Sequence, residues 1–270
     1  SNWIYLLIPF SIIFYCICIL KNYLYKNGFL KRIKIKVPVL IIGNITLGGT
    51  GKTPLALNLI TKFLNEGLNP ALISRGYGGS AKNITEVLES SNARSVGDEA
   101  LLIKAKSKIP VFVGKDRVNV AKILLKKYPK TSIIISDDGL QHHRLARDYE
   151  IIVVDSKRKF GNGFIFPAGP LRESRSRLNK VDAVVYKGTS NNSKFYQMKY
   201  ITKHFKNLVT SKKVLFEGIQ VKKIVAITAI GNPESFFSTL EGYNLEFKKV
   251  IFNDHYLFNK NDFIKYADYN

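Results

Sequence analysis

The chain opens on an uninterrupted apolar run, WIYLLIPFSIIFYCICIL at residues 3–20, with no charged position. Wound as a helix, this run spans about 27 Å, close to the roughly 30 Å hydrocarbon core of a bilayer. Pro9 predicts a kink, and Trp3, Tyr5, Phe10, Phe14 and Tyr15 suit a helix lying in the interface as well as one crossing it. No positive segment precedes the run and no small-x-small site closes it, which argues against a cleaved signal peptide. Lys21, Lys26, Lys31, Arg32, Lys34 and Lys36 follow, and such a cluster keeps what comes after it on the cytoplasmic side. Residues 1–36 therefore read as a membrane-anchor helix and a basic linker, with a buried core helix as the alternative.

From Val37 onward the pattern changes to short apolar, β-rich runs alternating with longer amphipathic or charged stretches. Strands are expected at 37–43, 71–74, 109–113, 132–136, 150–155 and 181–186, and helices at 52–65, 98–107 and 116–128. This is the order of an α/β, doubly wound parallel sheet. Past residue 190 comes a lysine-rich, weakly patterned stretch. A fresh unit then follows: strand 222–230, helix 233–241 and strand 247–252. The expected division is a nucleotide-binding domain over 37–218 and a second, smaller α/β domain over 219–270.

Composition alters the picture in two places. A net charge of +22 is large for a chain with 23% charged residues, and it points to anionic partners or to a lysine-rich proteome in equal measure. With no helix-turn-helix, zinc finger or aromatic ribonucleoprotein motif beside the charge, the pattern favours a phospholipid surface over nucleic acid. Both cysteines, Cys16 and Cys18, lie in the apolar segment, which argues for a reducing compartment and against a cysteine-based metal site. No obligate protein partner is evident.

The chemistry gathers on VPVLIIGNITLGGTGKTPLALNLI, a strand, a glycine-rich turn and a helix in that order. Thr46, Leu47, Gly48, Gly49, Thr50, Gly51, Lys52 and Thr53 form a phosphate-binding loop. Its glycines let backbone amides converge on phosphate oxygens, Lys52 reaches the β and γ phosphates, and Thr53 offers its hydroxyl to Mg2+. In the strict pattern the first glycine falls at Thr46, with Gly43 and the Gly48-Gly49 pair as visible substitutes.

Downstream, TSIIISDDGLQHHRLARD delivers Asp137 and Asp138 at a strand's carboxyl edge, where a phosphate-loop enzyme places the carboxylates that hold magnesium or its waters. Asp98 and Glu99 open the helix of SVGDEALLIKAK. Acids there suit the helix macrodipole, while phosphoryl transfer to a hydroxyl needs a carboxylate near the nucleophile. The residues alone leave capping and catalysis equally open.

Together GNITLGGTGKTP (43–54), SRGYGG (74–79), VGDEALL (96–102), SDDGLQHHRLARD (136–148), FGNGFIFPAGPLRE (160–173) and NDHY (253–256) closely resemble the tetraacyldisaccharide 4'-kinases of lipid A biosynthesis, in family order over nearly the whole chain. The resemblance implies transfer of the ATP γ-phosphate to the 4'-hydroxyl of tetraacyldisaccharide 1-phosphate at the cytoplasmic face of an inner membrane. It implies Asp98 as general base assisted by His255, with Glu99, Asp137 and Asp138 serving Mg2+ and nucleotide. It also implies Arg172 as a phosphate contact, Tyr77 as a residue facing the lipid and Arg117 as a further phosphate-binding candidate. His142 and His143 read as supporting or surface residues, since no zinc-ligand spacing surrounds them. Members of that family usually continue past the DH motif into a threonine-glutamate-lysine-aspartate segment. This chain ends at Asn270 without it and begins at Ser1, so the expectation is a fragment with an incomplete second domain.

Two rival readings have specific footholds. The tetrapeptides Asn179-Lys180-Val181-Asp182 and Asn259-Lys260-Asn261-Asp262 fit a guanine-reading pattern, but neither follows a buried strand as a GTPase switch requires. A membrane-associated partitioning ATPase carries a lysine directly before the two loop glycines, where this chain has Leu47.

Overall fold

The computed structural model describes residues 3–188, 195–202, 204–215, 223–254 and 256–266. The chain divides into two compact units, Ser1–Lys199 and Tyr200–Asn270. The division falls ahead of residue 219 because Phe205 already packs with the core of the second unit.

In the first unit, β1 (Val39–Gly43), β2 (Pro70–Ser74), β3 (Thr85–Glu86), β4 (Val111–Val113), β5 (Ile133–Asp137), β6 (Tyr149–Asp155), β7 (Ala183–Lys187) and β8 (Tyr196–Met198) form one sheet. Its order is β3-β4-β2-β5-β1-β6-β7-β8. Every pairing is parallel except β3 with β4. The strands are short, continuous apolar runs because both faces are covered. Leu40 and Ile42 face a layer with Leu55, Ala56 and Ile60 of α2 (Lys52–Asn65) and Ala100 and Ile103 of α4 (Asp98–Ser107). Val39 and Ile41 face the opposite layer with Val118, Ala121 and Leu124 of α5 (Arg117–Lys127). Burial of each such side chain stabilises the fold by about 1.5–3 kcal/mol. Chain order reverses about β1, with β2 and β4 on one side and β6 and β7 on the other, so a crevice opens at the carboxyl ends of β1, β5 and β6.

The apolar run forms α1 (Trp3–Lys26), 24 residues and so about 36 Å long, longer than the charge-free stretch alone. It is the one helix among the described residues that is long and apolar enough to cross a membrane. Leu6, Phe10, Ile13, Ile17 and Leu20 stand exposed, which a core helix would not allow. The helix continues through Pro9. One side chain is an exception to its exposure: Ser11 is buried. Its hydroxyl donates to the Ile165 carbonyl (2.8 Å) and accepts from the Ala168 amide (3.0 Å). Phe14 packs edge-on against Phe166, Lys21 Nζ donates to the Gln141 carbonyl (3.1 Å), and Tyr25 lies against the His143 ring. Helix α1 thus touches the two segments that carry Asp138 and Arg172.

The second unit holds an antiparallel pair, β9 (His204–Lys206) with β10 (Lys213–Leu215), and a parallel pair, β11 (Ile224–Thr228) with β12 (Phe247–Ile251). The parallel pair is connected by α6 (Pro233–Glu241), whose Phe237 and Leu240 pack with Ala226. Asn232 caps α6, accepting from the Ser235 amide, with Pro233 at the first helical position. A short α7 (Asn261–Ile264) closes the described part.

Candidate active site

The phosphate loop is shaped by close packing before and after it. A Cβ on Gly43 would come within 2.4 Å of Leu140, so β1 meets the turn after β5 only with glycine there. Beyond Gly43 the chain pairs antiparallel with the PAGPLR segment: the Leu47 amide donates to Pro170 (2.8 Å) and the Arg172 amide donates to Ile45 (2.7 Å). Thr46, where the strict pattern has glycine, is bridged to Leu171 in this ladder. Gly51, in the left-handed region at φ 98°, then starts α2 with no side-chain cap, leaving the first amides of the helix directed at the loop.

Four polar side chains converge at the loop mouth. Lys52 Nζ lies 3.4 Å from Asn44 Oδ1 and 3.5 Å from Asp138 Oδ1. Asn44 is fully buried and also donates to the Gly48 carbonyl at 3.2 Å. Arg172 Nη1 reaches Asp138 Oδ2 at 3.2 Å, delivered there by the Ile45–Arg172 backbone pairing. Burial opposes ionisation of Asp138, but Lys52 and Arg172 outweigh it and hold the carboxyl below the usual carboxylate range.

Asp137 has the opposite environment. Register pairs it with Ile42 of β1, and it is buried at the end of β5. Burial, with Glu99 and Asp138 adding to it against Lys52 and Arg117, pushes its carboxyl up to about 7. Among the described residues, Asp137 Oδ1 and Thr50 Oγ1 are buried without a hydrogen-bond partner. Orphaned buried oxygens at a phosphate loop fit a cation and a polyphosphate. No group of three or more His, Cys, Asp or Glu gathers as a metal cage among the described residues. That suits magnesium, which takes one or two carboxylates and fills its octahedron with phosphate oxygens and waters.

Arg117 is buried at the start of α5, and its guanidinium donates to the carbonyls of Gly114 (2.7 Å) and Asp137 (3.4 Å). Burial lowers it to about 10, with Asp137 and Asp138 opposing. It holds the carbonyl at the end of β5.

Asp98 and Glu99 are exposed at the first turn of α4, and the Glu99 amide donates to Asp98 Oδ1 (2.9 Å). Their position is set by the SRGYGG loop at the carboxyl end of β2. Gly97 sits at φ 87°, and a Cβ there would meet the Tyr77 carbonyl at 2.6 Å. Tyr77 itself is 72% exposed. His255 lies outside the described residues.

His142 and His143 line the turn after Asp138, and burial depresses both to about 4. Asp182, the last residue of the first guanine-like tetrapeptide, accepts from the Glu150 amide (2.7 Å) ahead of β7. Asp262 of the second accepts from the Asn259 amide (2.8 Å). Both carboxylates stabilise local backbone. Two participants escaped the sequence: Asn44, whose signal is a polar residue directly after the buried β1, and Glu173, which accepts from Gln141 Nε2 (2.8 Å) beside Arg172.

A family model described as tetraacyldisaccharide-1-P 4'-kinase matches residues 3–270. The tetraacyldisaccharide 4'-kinase of Methylobacillus flagellatus is 40% identical over 264 residues, 97% of this chain and 79% of that protein. The enzyme of the same name from Francisella novicida is 44% identical over 248 residues, 87% of this chain and 77% of that protein. Among solved structures, that of LpxK from Aquifex aeolicus in complex with ATP matches with a TM-score of 0.78 at 28% identity. The match covers 99% of this chain and 85% of that one.

Proposed function

This chain belongs to the tetraacyldisaccharide 4'-kinase family, and on that premise we propose how its residues share the transfer of the ATP γ-phosphate to the 4'-hydroxyl of tetraacyldisaccharide 1-phosphate. It is a lipid A 4'-kinase, a phosphotransferase with an alcohol acceptor. The GTPase reading loses its footholds, since Asp182 holds the Glu150 amide and Asp262 the Asn259 amide, and the partitioning reading has Leu47 where it needs a lysine.

With the Leu47 amide taken by the Pro170 carbonyl, the triphosphate lies on the amides of residues 48–53, and Lys52 turns from Asp138 and Asn44 onto the β and γ phosphates. Thr53 and one or two of the carboxylates Asp137, Asp138 and Glu99 would hold Mg2+ directly, the remainder through its waters, and the ion would neutralise charge on the phosphates. Arg172, released from Asp138, contacts the transferring phosphate. Arg117 contributes from behind by fixing the carbonyl of Asp137. Asp98 takes the proton of the 4'-hydroxyl as its oxygen bonds to the γ-phosphorus and the bond to the leaving ADP oxygen breaks. Tyr77, exposed on the SRGYGG loop beside Gly97, faces the lipid. The exposed apolar side chains of α1 and the lysines after it support a reaction at the cytoplasmic face of the inner membrane, against phospholipid.

The observation that carries this reading is Asp138 clasped by Lys52 and Arg172 at the open N-terminus of α2, with the buried, high-pKa Asp137 beside it. In detergent micelles with the lipid acceptor and labelled ATP, Asp98→Ala is expected to slow transfer by roughly 10²–10⁴-fold. A D98A enzyme as fast as wild type would remove Asp98 from the role of base.

A further inference from the structure

A third cation reaches the phosphate loop from the other side of β1. The chain leaving β6 turns back over the crevice at Asp155-Ser156-Lys157-Arg158. Asp155 is buried, and its carboxylate accepts from the amides of Lys157 (3.0 Å) and Arg158 (3.1 Å). Lys187 Nζ of the neighbouring β7 lies 3.4 Å from the other carboxylate oxygen. The turn is further closed by the Lys159 amide on the Asp155 carbonyl (2.7 Å) and the Gly161 amide on that of Arg158 (3.0 Å). A buried, ion-paired carboxylate therefore fixes the turn that carries Arg158.

The guanidinium ends on the loop itself. Arg158 Nη2 lies 3.5 Å from the Leu47 carbonyl, and a Cβ on Gly48 would come within 2.9 Å of Nη1. The other two cations at the mouth, Lys52 and Arg172, both share Asp138. Arg158 has no carboxylate partner among the described residues, only that carbonyl. Its positive charge is thus the uncompensated one at the loop, where a polyphosphate brings several negative charges.

We propose that Arg158 is an ATP-binding residue that clasps the triphosphate from the β6 side, opposite Lys52 and Arg172, exchanging its weak bond to Leu47 for charge-assisted bonds to phosphate oxygens. The proposal rests on the phosphate loop being the ATP site. Planar guanidinium geometry suits paired phosphate oxygens, so lysine replaces it only in part.

The test is steady-state kinetics of the full chain in detergent micelles, varying ATP and the lipid acceptor separately, for wild type, Arg158→Ala, Arg158→Lys and Lys52→Ala. Arg158→Ala is expected to raise KM for ATP about tenfold or more, as loss of a charged hydrogen bond does. KM for the acceptor and the nucleotide-free melting temperature should stay at wild-type values, and R158K should recover part of the loss. An unchanged KM for ATP overturns the proposal. So does a loss that falls on the acceptor instead, which would assign Arg158 to the lipid's own phosphate, or tighter ATP binding in R158A, which would make Arg158 a cap on the loop. If R158A melts below wild type without nucleotide, R158K decides: wild-type affinity for ATP there leaves no role for the guanidinium. Full activity in K52A would instead fail the reading of the loop itself.

Discussion

Asp137 and Asp138 are adjacent in sequence and opposite in electrostatics, because one side chain turns into the sheet and the other into a cluster of cations. Asp138 adopts φ 48°, which aspartate tolerates better than most residues, and this swings its carboxylate to Lys52 and Arg172. In the proposed reaction, removing the lysine charge leaves the triphosphate without its β- and γ-phosphate contact. Lys52→Ala should lower kcat/KM by roughly 10²–10³-fold, the range for a preorganised electrostatic group, measured by initial rates. A smaller effect than Lys52→Arg would argue that its pairing with Asp138 matters more than contact with ATP.

The histidines offer a separate check. Folded His143 titrates near 4, below its ordinary value of 6.5, so the neutral form is favoured in the folded state. The stability this contributes is complete above about pH 6.5 and is lost as pH falls towards 4. Melting temperature should decline across that window, and His143→Gln should flatten the decline; parallel curves would contradict it. At this scale the positions of Lys52, Asp137 and Asp138 beside the loop were legible, because the order strand, loop, helix brings them there. Arg158 was illegible, since it acts through a contact with the Leu47 carbonyl, 111 residues away in sequence, that only the folded chain brings near.

Elements were legible where pattern and punctuation agreed. Helices 52–65, 98–107 and 233–241 stand as expected, each opened by a glycine or a capping asparagine that breaks the preceding run. The expected strand 37–43 begins instead at Val39, after Pro38, where the Val39 amide donates to Asp148 Oδ2 (2.9 Å). Strands β3, β8, β9 and β10 were missed because two or three residues hold no periodicity. The relation of α1 to the catalytic unit was equally hidden, since it hangs on Ser11. Ser11→Val buries the Ile165 carbonyl and Ala168 amide without that partner, costing about 1–3 kcal/mol. The melting temperature of the full chain in detergent should fall, and Ser11→Thr should restore most of it. Equal stability of all three would mean the hydroxyl bonds contribute nothing net. Gly97→Ala strains the junction that sets Asp98, since the backbone is at φ 87° with the Tyr77 carbonyl in the way. Its kcat should drop while ATP affinity holds; an unchanged kcat would detach Asp98 from that loop.

For the whole molecule, the sheet supplies a crevice at β1, two layers of helices fix the carboxylates and cations in it, and α1 adds an apolar surface continuous with the segments that carry Asp138 and Arg172. The net charge of +22 acts over the same scale. Binding to vesicles should be stronger with anionic than with neutral lipid and should weaken as salt rises, since the Debye length shrinks from about 10 Å at 0.1 M to 3 Å at 1 M. Salt-independent binding would assign the attachment to α1 alone. The α/β class and the order of its motifs were visible in the chain because strand, loop and helix recur at regular spacing. The boundary at Tyr200 was not, because the hairpin beyond it carries little hydrophobic pattern. In the proposed reaction this chain moves the γ-phosphate of ATP onto a lipid-linked disaccharide with Asp98 as base. The most direct measurement follows the full chain in micelles with γ-labelled ATP and tetraacyldisaccharide 1-phosphate, and locates the label in the product by phosphorus NMR. Wild type is expected to put the label on the 4'-oxygen, and Asp98→Asn to transfer it at near-background rate. Label released as free phosphate, label at another hydroxyl, or undiminished transfer in D98N would contradict it.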